Sequence, residues 1–171
     1  MSEKLLPEHI DPYRYAEQAL RLSGEAKLTD MHRLESMIGS QEDKASVELH
    51  FGVDEQGISF LKGHLQTRLY LQCQRCLNPY HYEIIVDFVL GMVHTDDEAK
   101  QLPECYEPVL VKEGHVALRE LVEDEIILNL PLIPKHDSKD CKVAIPTDLE
   151  QAEDKIDNPF RVLESLKHKQ D

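Results

Sequence analysis

Two thiols, Cys73 and Cys76, stand in Leu71-Gln-Cys-Gln-Arg-Cys-Leu-Asn-Pro79, and some sixty residues later the chain offers His136-Asp-Ser-Lys-Asp-Cys141. A Cys-x-x-Cys on a tight turn can bring two thiolates to one tetrahedral ion, and a histidine and a further cysteine from a loop can close the shell. That chemistry is structural zinc, because four protein donors leave no position open for substrate or water. Two other readings of the same residues stay open: small side chains in a turn beside an exposed loop histidine, or a dithiol redox pair. Redox exchange favours a Cys-x-x-Cys at a helix amino terminus in a βαβ unit, whereas this one joins two strands. A second Cys-x-x-Cys would be a stronger answer to the first than His-x4-Cys is. Cys105, in Pro103-Glu-Cys-Tyr-Glu107, has no partner at ligand spacing and reads as a small half-buried residue.

Arg75, between the first two thiols, can reach a phosphate, a base edge or a carboxylate from the tip of its turn, or simply brace that turn. The run Val122-Glu-Asp-Glu125 suggests acid–base machinery, but adjacent carboxylates point in different directions on a helix. Glu123 and Asp124 therefore read as an electronegative face suited to a basic partner. Glu125 falls beside the apolar stripe and is expected to find an internal partner, such as Arg75. No phosphate-loop, nucleophile-elbow or His-Glu-x-x-His pattern occurs, so neither an enzyme nor a small-molecule substrate is expected.

These residues need elements to hold them. Asp11-Pro12 is an N-cap followed by a residue whose missing N–H costs nothing in the first turn, which predicts a helix to about Leu20. Thr29 is expected to cap a short helix over 30–38. From Ala45 the apolar period changes to two: Val47, Leu49, Phe51 and Val53 alternate with polar residues, as a half-buried strand requires. Asp54-Glu-Gln-Gly57 reads as a hairpin turn. Leu65, Thr67, Leu69 and Leu71 then share one face, and Tyr82, Ile84, Val86 and Phe88 share another, so the Cys-x-x-Cys turn links two antiparallel strands. Val109–Val111 is a further strand, and Leu118, Leu121, Val122 and Ile126 form a helical stripe ended by Pro131. The expected fold is α+β, an antiparallel β-sheet of about five strands flanked by short helices. Residues 1–141 would be one domain and residues 142–171 an acidic linker with a short C-terminal helix starting at Asn158-Pro159.

A formal net charge of −14 argues against an RNA-binding protein of the ordinary basic kind. The acid is concentrated in residues 96–141, with 12 acidic and 5 basic side chains, while residues 44–95 carry 5 and 4. Direct contact with RNA would therefore fall in the near-neutral segment, through Lys62, His64, Arg68, Arg75 and His81. Tyr70, Tyr80 and Tyr82 could stack bases, although alternation puts Tyr80 and Tyr82 on the core side. No 18-residue apolar window spans a bilayer, and the amino terminus lacks an apolar export signal; a cytoplasmic address and unpaired or metal-bound cysteines are the expectation.

CQRCLNPY, LPECYEPVLV, LVEDEIILNLPLIPKHDSKDC and NPFRVLESLK occur in an order and spacing that resembles the YceD family of bacterial large ribosomal RNA subunit accumulation proteins. The likeness extends through Asp11-Pro12 and Leu20–Gly24 toward the start. It implies a non-enzymatic cytosolic factor for synthesis, processing or stability of 23S ribosomal RNA. Added to the acidic balance, it suggests an adaptor for a ribosomal protein or an RNA-processing factor, with direct contact to large-subunit ribosomal RNA as the alternative.

Overall fold

The computed structural model describes residues 6–137, 139 and 141. The chain divides into two units, Met1–His136 and Asp137–Asp171. The linker and terminal helix expected over 142–171 lie outside the described residues.

The first unit is built on a long meander. Strands β2 (Arg21–Lys27), β3 (Lys44–Val53), β4 (Ser59–Gln72) and β5 (Pro79–Val93) follow the short strand β1 (His9–Ile10) and pair antiparallel in chain order. β4 alternates buried and exposed over nearly its whole length, with Leu61, Leu65, Leu69 and Leu71 inward. Period-two patterning fixes that register, because a slip of one residue would turn every leucine to solvent. Gly63 belongs to the inward set, and the Phe88 ring from β5 lies over it where a Cβ would stand, so any larger residue there would run into the ring.

The sheet is mixed rather than antiparallel as expected. β6 (Glu107–Leu110) completes it at the edge and runs parallel to β5. The cause is the connection: after β5 the chain forms α3 (Asp96–Ala99) and a loop through Tyr106, a detour long enough to carry it back before it pairs. A second small sheet, β1 with β7 (Val116–Ala117), was not expected at all.

Three helices add to the core. α1 (Pro12–Glu17) begins where Asp11 predicts, its side chain accepting the Arg14 N–H at 3.1 Å. α2 (His32–Ile38) and α4 (Leu118–Leu128) contribute Leu34, Leu118, Val122 and Ile126, which pack with Val47, Phe51, Leu61, Leu65 and Leu69. Truncating one such leucine to alanine would cost about 2–5 kcal/mol. The opposite sheet face carries Lys62, His64, Gln66, Arg68 and Tyr70 outward from β4.

The N-terminus of α2 differs from the expectation. Thr29 lies in a 3-10 turn, Leu28–Asp30, and the N-cap is Met31, which has no side-chain oxygen to offer. Glu123 of α4 replaces it from outside, accepting the N–H of Arg33 at 2.7 Å and of Leu34 at 3.0 Å.

Candidate functional site

Residues 73–78 join β4 to β5. Their backbone folds on itself: the Cys73 N–H donates to Asn78 O at 2.9 Å and the Leu77 N–H to Cys73 O at 2.8 Å, with Leu77 at a left-handed φ of 61°. The segment before His136 docks on this turn, since the Gln74 N–H donates to Pro134 O at 2.9 Å. His136 also stacks on Tyr80, ring centroids 5.6 Å apart.

Cys73 is fully buried, and burial alone would push its thiol up. Backbone N–H groups of Cys76, Arg75 and His136, helped by the Cys76 thiol, outweigh that and bring it down to about 6. N–H groups turned onto a sulfur favour the thiolate, which is the metal-binding form. Cys73, Cys76 and His136 place their ligand atoms within 4.8 Å of one another. Cys76 Sγ and His136 Nε2 are 3.6 Å apart. A tetrahedral zinc with Zn–S of ~2.3 Å and Zn–N of ~2.0 Å sets sulfur and nitrogen ligands about 3.5 Å apart, close to that separation. Donor type and spacing, with the thiolate favoured at Cys73, thus fit a metal ion, with the histidine presenting Nε2. His136 Nδ1 is buried without a hydrogen-bond partner among the described residues. Cys141 belongs to the second unit, where its N–H donates to Asp137 O at 3.1 Å. With Cys141 the chain supplies a Cys3His donor set that could hold a metal.

Arg75 is exposed at the tip of the turn, and its guanidinium reaches His136 O at 3.5 Å. From there it can brace the histidine segment. Cys105 is exposed, more so than the half-buried position expected of it, and none of the four cysteines is in a disulfide.

The acidic run on α4 separates into three environments. Glu123 is 5% exposed and bridges to Arg33, whose Nε and NH2 lie 3.1 and 3.0 Å from Glu123 Oε2. Burial would raise its pKa, but the Leu34 N–H and the Arg33 side chain and N–H hold it below the ordinary carboxylate value. Asp124 is half exposed and takes the other arm of the same guanidinium. Glu125 is 6% exposed; its backbone carbonyl accepts from Asn129 Nδ2 at 2.8 Å, but its carboxylate has no hydrogen bond or ion pair among the described residues, and Arg75 is not its partner. Burial first, then Glu107 and Asp124, push its pKa up to about 7. Arg33 and Glu107 were not singled out from the sequence. No local sign of Arg33's arrangement stood in the sequence, because Thr29 was the expected cap and the uncapped start at Met31 shows only in the structure.

Tyr80 and Tyr82 are half-buried against the core, as alternation required, whereas Tyr70 is 49% exposed on the open sheet face beside His81. Among the described residues no helix is long and apolar enough to cross a membrane.

A family model described as large ribosomal RNA subunit accumulation protein YceD matches residues 61–167. A Haemophilus influenzae protein, named large ribosomal RNA subunit accumulation protein YceD, is 37% identical over 178 residues, which cover 99% of this chain and 100% of that protein. No solved structure matches the chain.

Proposed function

Because this chain belongs to the YceD family of large ribosomal RNA subunit accumulation proteins, we propose that it supports the synthesis, processing or stability of 23S ribosomal RNA in the cytoplasm. It does so without catalysis, as an acidic adaptor that engages a basic ribosomal protein or RNA-processing factor. The observation that carries the adaptor reading is the placement of acid: residues 96–141, with 12 acidic side chains against 5 basic, include the edge strand β6 and the helix α4. A surface of that sign repels phosphate and attracts lysine and arginine.

In this reading Cys73, Cys76, His136 and Cys141 hold one structural zinc. Cys141 follows His136 closely enough for the chain itself to keep it within reach, and a fourth protein ligand closes the shell. The ion would tie the segment after α4 to the β4–β5 turn and fix where Arg75 points. Arg75 and Asp124 are then the exposed groups that meet a partner, while Glu123, committed to Arg33, contributes by holding α4 in place.

Native purification of the tagged protein, with bound protein, RNA and metal identified in one sample, tests both parts. About one equivalent of zinc and enrichment of a basic ribosomal or RNA-processing protein are expected. A preparation without any enriched basic protein overturns the adaptor; a folded, metal-free preparation that ignores added zinc overturns the zinc site.

A second reading, direct binding of large-subunit RNA, draws on the open sheet face. Lys62, His64, Arg68 and Tyr70 form one outward row along β4, flanked by His81. Glu83 and Asp87 share that face, opposite Arg68 and His64. Direct binding predicts affinity for a ribosomal RNA fragment that falls steeply with salt and with Arg68→Ala or Arg75→Ala.

A further inference from the structure

Among the described residues β6 is the last strand of its sheet, and beside it an open cleft of about 740 Å³ runs between that strand, the turn through Lys112–His115 and α4 as far as Glu125. Five carboxylates line it, from Glu107, Glu113, Glu120, Asp124 and Glu125, against a single lysine, Lys112. An acidic cleft alone says little, since solvated carboxylates are common. Glu125 makes this one different. Its side chain lines the cleft while 6% exposed, and among the described residues no donor reaches it. A buried carboxylate without a donor is costly, and the nearest charges, on Glu107 and Asp124, repel it. Helix α4 shows the alternative: Glu123 is equally buried and is given an arginine and two backbone N–H groups.

We infer that this cleft receives a lysine- or arginine-bearing extended segment of a protein partner, laid along the free edge of β6 with one cationic side chain reaching Glu125 and Glu107. The edge offers backbone groups for strand addition, and the alternation of an added strand directs every second side chain toward the carboxylates. Pro108 limits the register, because it has no N–H to give. A divalent cation fits less well: among the described residues the only set of metal-ligating side chains lying close enough together involves the cysteines. Nucleic acid is repelled by the same five carboxylates. The inference rests on the adaptor reading above and locates its contact.

The test uses the full chain and a synthetic peptide of four Lys-Val repeats, with a Glu-Val repeat of equal length as control, followed by amide shifts and fluorescence anisotropy. The Lys-Val peptide is expected to bind, to shift amides of β6 and α4, and to lose about ten-fold affinity in Glu125→Gln and again in Glu107→Gln. Glu17→Gln, exposed on α1, should leave affinity unchanged. Equal loss in Glu17→Gln, or full binding in the Glu107→Gln/Glu125→Gln pair, would overturn the inference, as would magnesium alone reproducing the shifts. Native purification separates the two levels. Basic protein retained by the double variant as well as by the original chain rejects the cleft and keeps the adaptor, whereas peptide binding at the cleft with no basic protein recovered from cells rejects the adaptor and keeps the cleft.

Discussion

Glu123 and Glu125 are near neighbours on one helix, almost equally buried, and the two sides of α4 treat them in opposite ways. Toward α2, Glu123 meets Arg33 and the N-terminus of a helix whose cap residue, Met31, has no side-chain oxygen. Toward β6, Glu125 meets Glu107 across an open cleft and no donor among the described residues. The first arrangement stabilises the protein internally. The second leaves a carboxylate that only something external can satisfy. Burial therefore does not distinguish a structural acid from a functional one; the donors brought to it do.

The largest expected effect comes from breaking the satisfied side. Glu123→Gln should destabilise the protein by about 2–3 kcal/mol at pH 7, the low end for a broken buried pair because Arg33 is half exposed. Urea unfolding measures it, and a loss below about 0.5 kcal/mol would show that Glu123 is no internal tie. The folded pKa lies below the ordinary carboxylate value, so the charged form is the stabilised one. The advantage over the glutamine variant should be complete above about pH 4.5 and shrink as pH falls through the folded value.

Glu125→Gln should act with the opposite sign. With a folded pKa of about 7, the native state holds a proton that the unfolded chain has released, so native stability falls as pH rises from about 4.5 past 7. The variant should match the original chain at pH 4.5 and exceed it at pH 8 by an amount on the order of 2 kcal/mol. Equal stabilities at both pH values would mean that the carboxylate is better solvated than its burial indicates.

A smaller change sharpens the comparison without removing either acid. Glu107→Gln takes away the nearest like charge and should lower the pKa of Glu125, read from its side-chain carboxyl carbon in an NMR titration, while leaving Glu123 where it is. If both move together, the helix carries one coupled acidic field rather than two environments. The smallest effect is expected at Asp124→Asn, whose half-exposed pair with Arg33 should be worth less than about 1 kcal/mol by thermal unfolding.

Much of the sheet was legible in the sequence. Val47, Leu49 and Phe51, and then Leu65, Leu69 and Leu71, alternate with polar residues, and only an extended backbone places such a set on one side. The Cys73–Cys76 pair was legible for the same local reason, since a turn between two strands brings residues at that spacing together. His136 was a looser expectation, and it lies beside Cys76 because Pro134 docks on the turn. The acid run was visible too, but its division into three roles was not: Arg33 and Glu107 come from distant elements, and no local pattern names them.

What this sequence determined by itself is therefore whatever depends on neighbours along the chain: strand periodicity, the Asp11 cap, the Cys-x-x-Cys turn and the balance of charge. Tertiary structure alone decided that β6 runs parallel to β5, that α2 is capped from α4, and that one glutamate is paired while its neighbour is not. Each of these depends on which distant backbone or side chain arrives at a given place, and periodicity carries no record of that. A carboxylate's charge is written in the sequence; the donors that meet it are supplied by the fold.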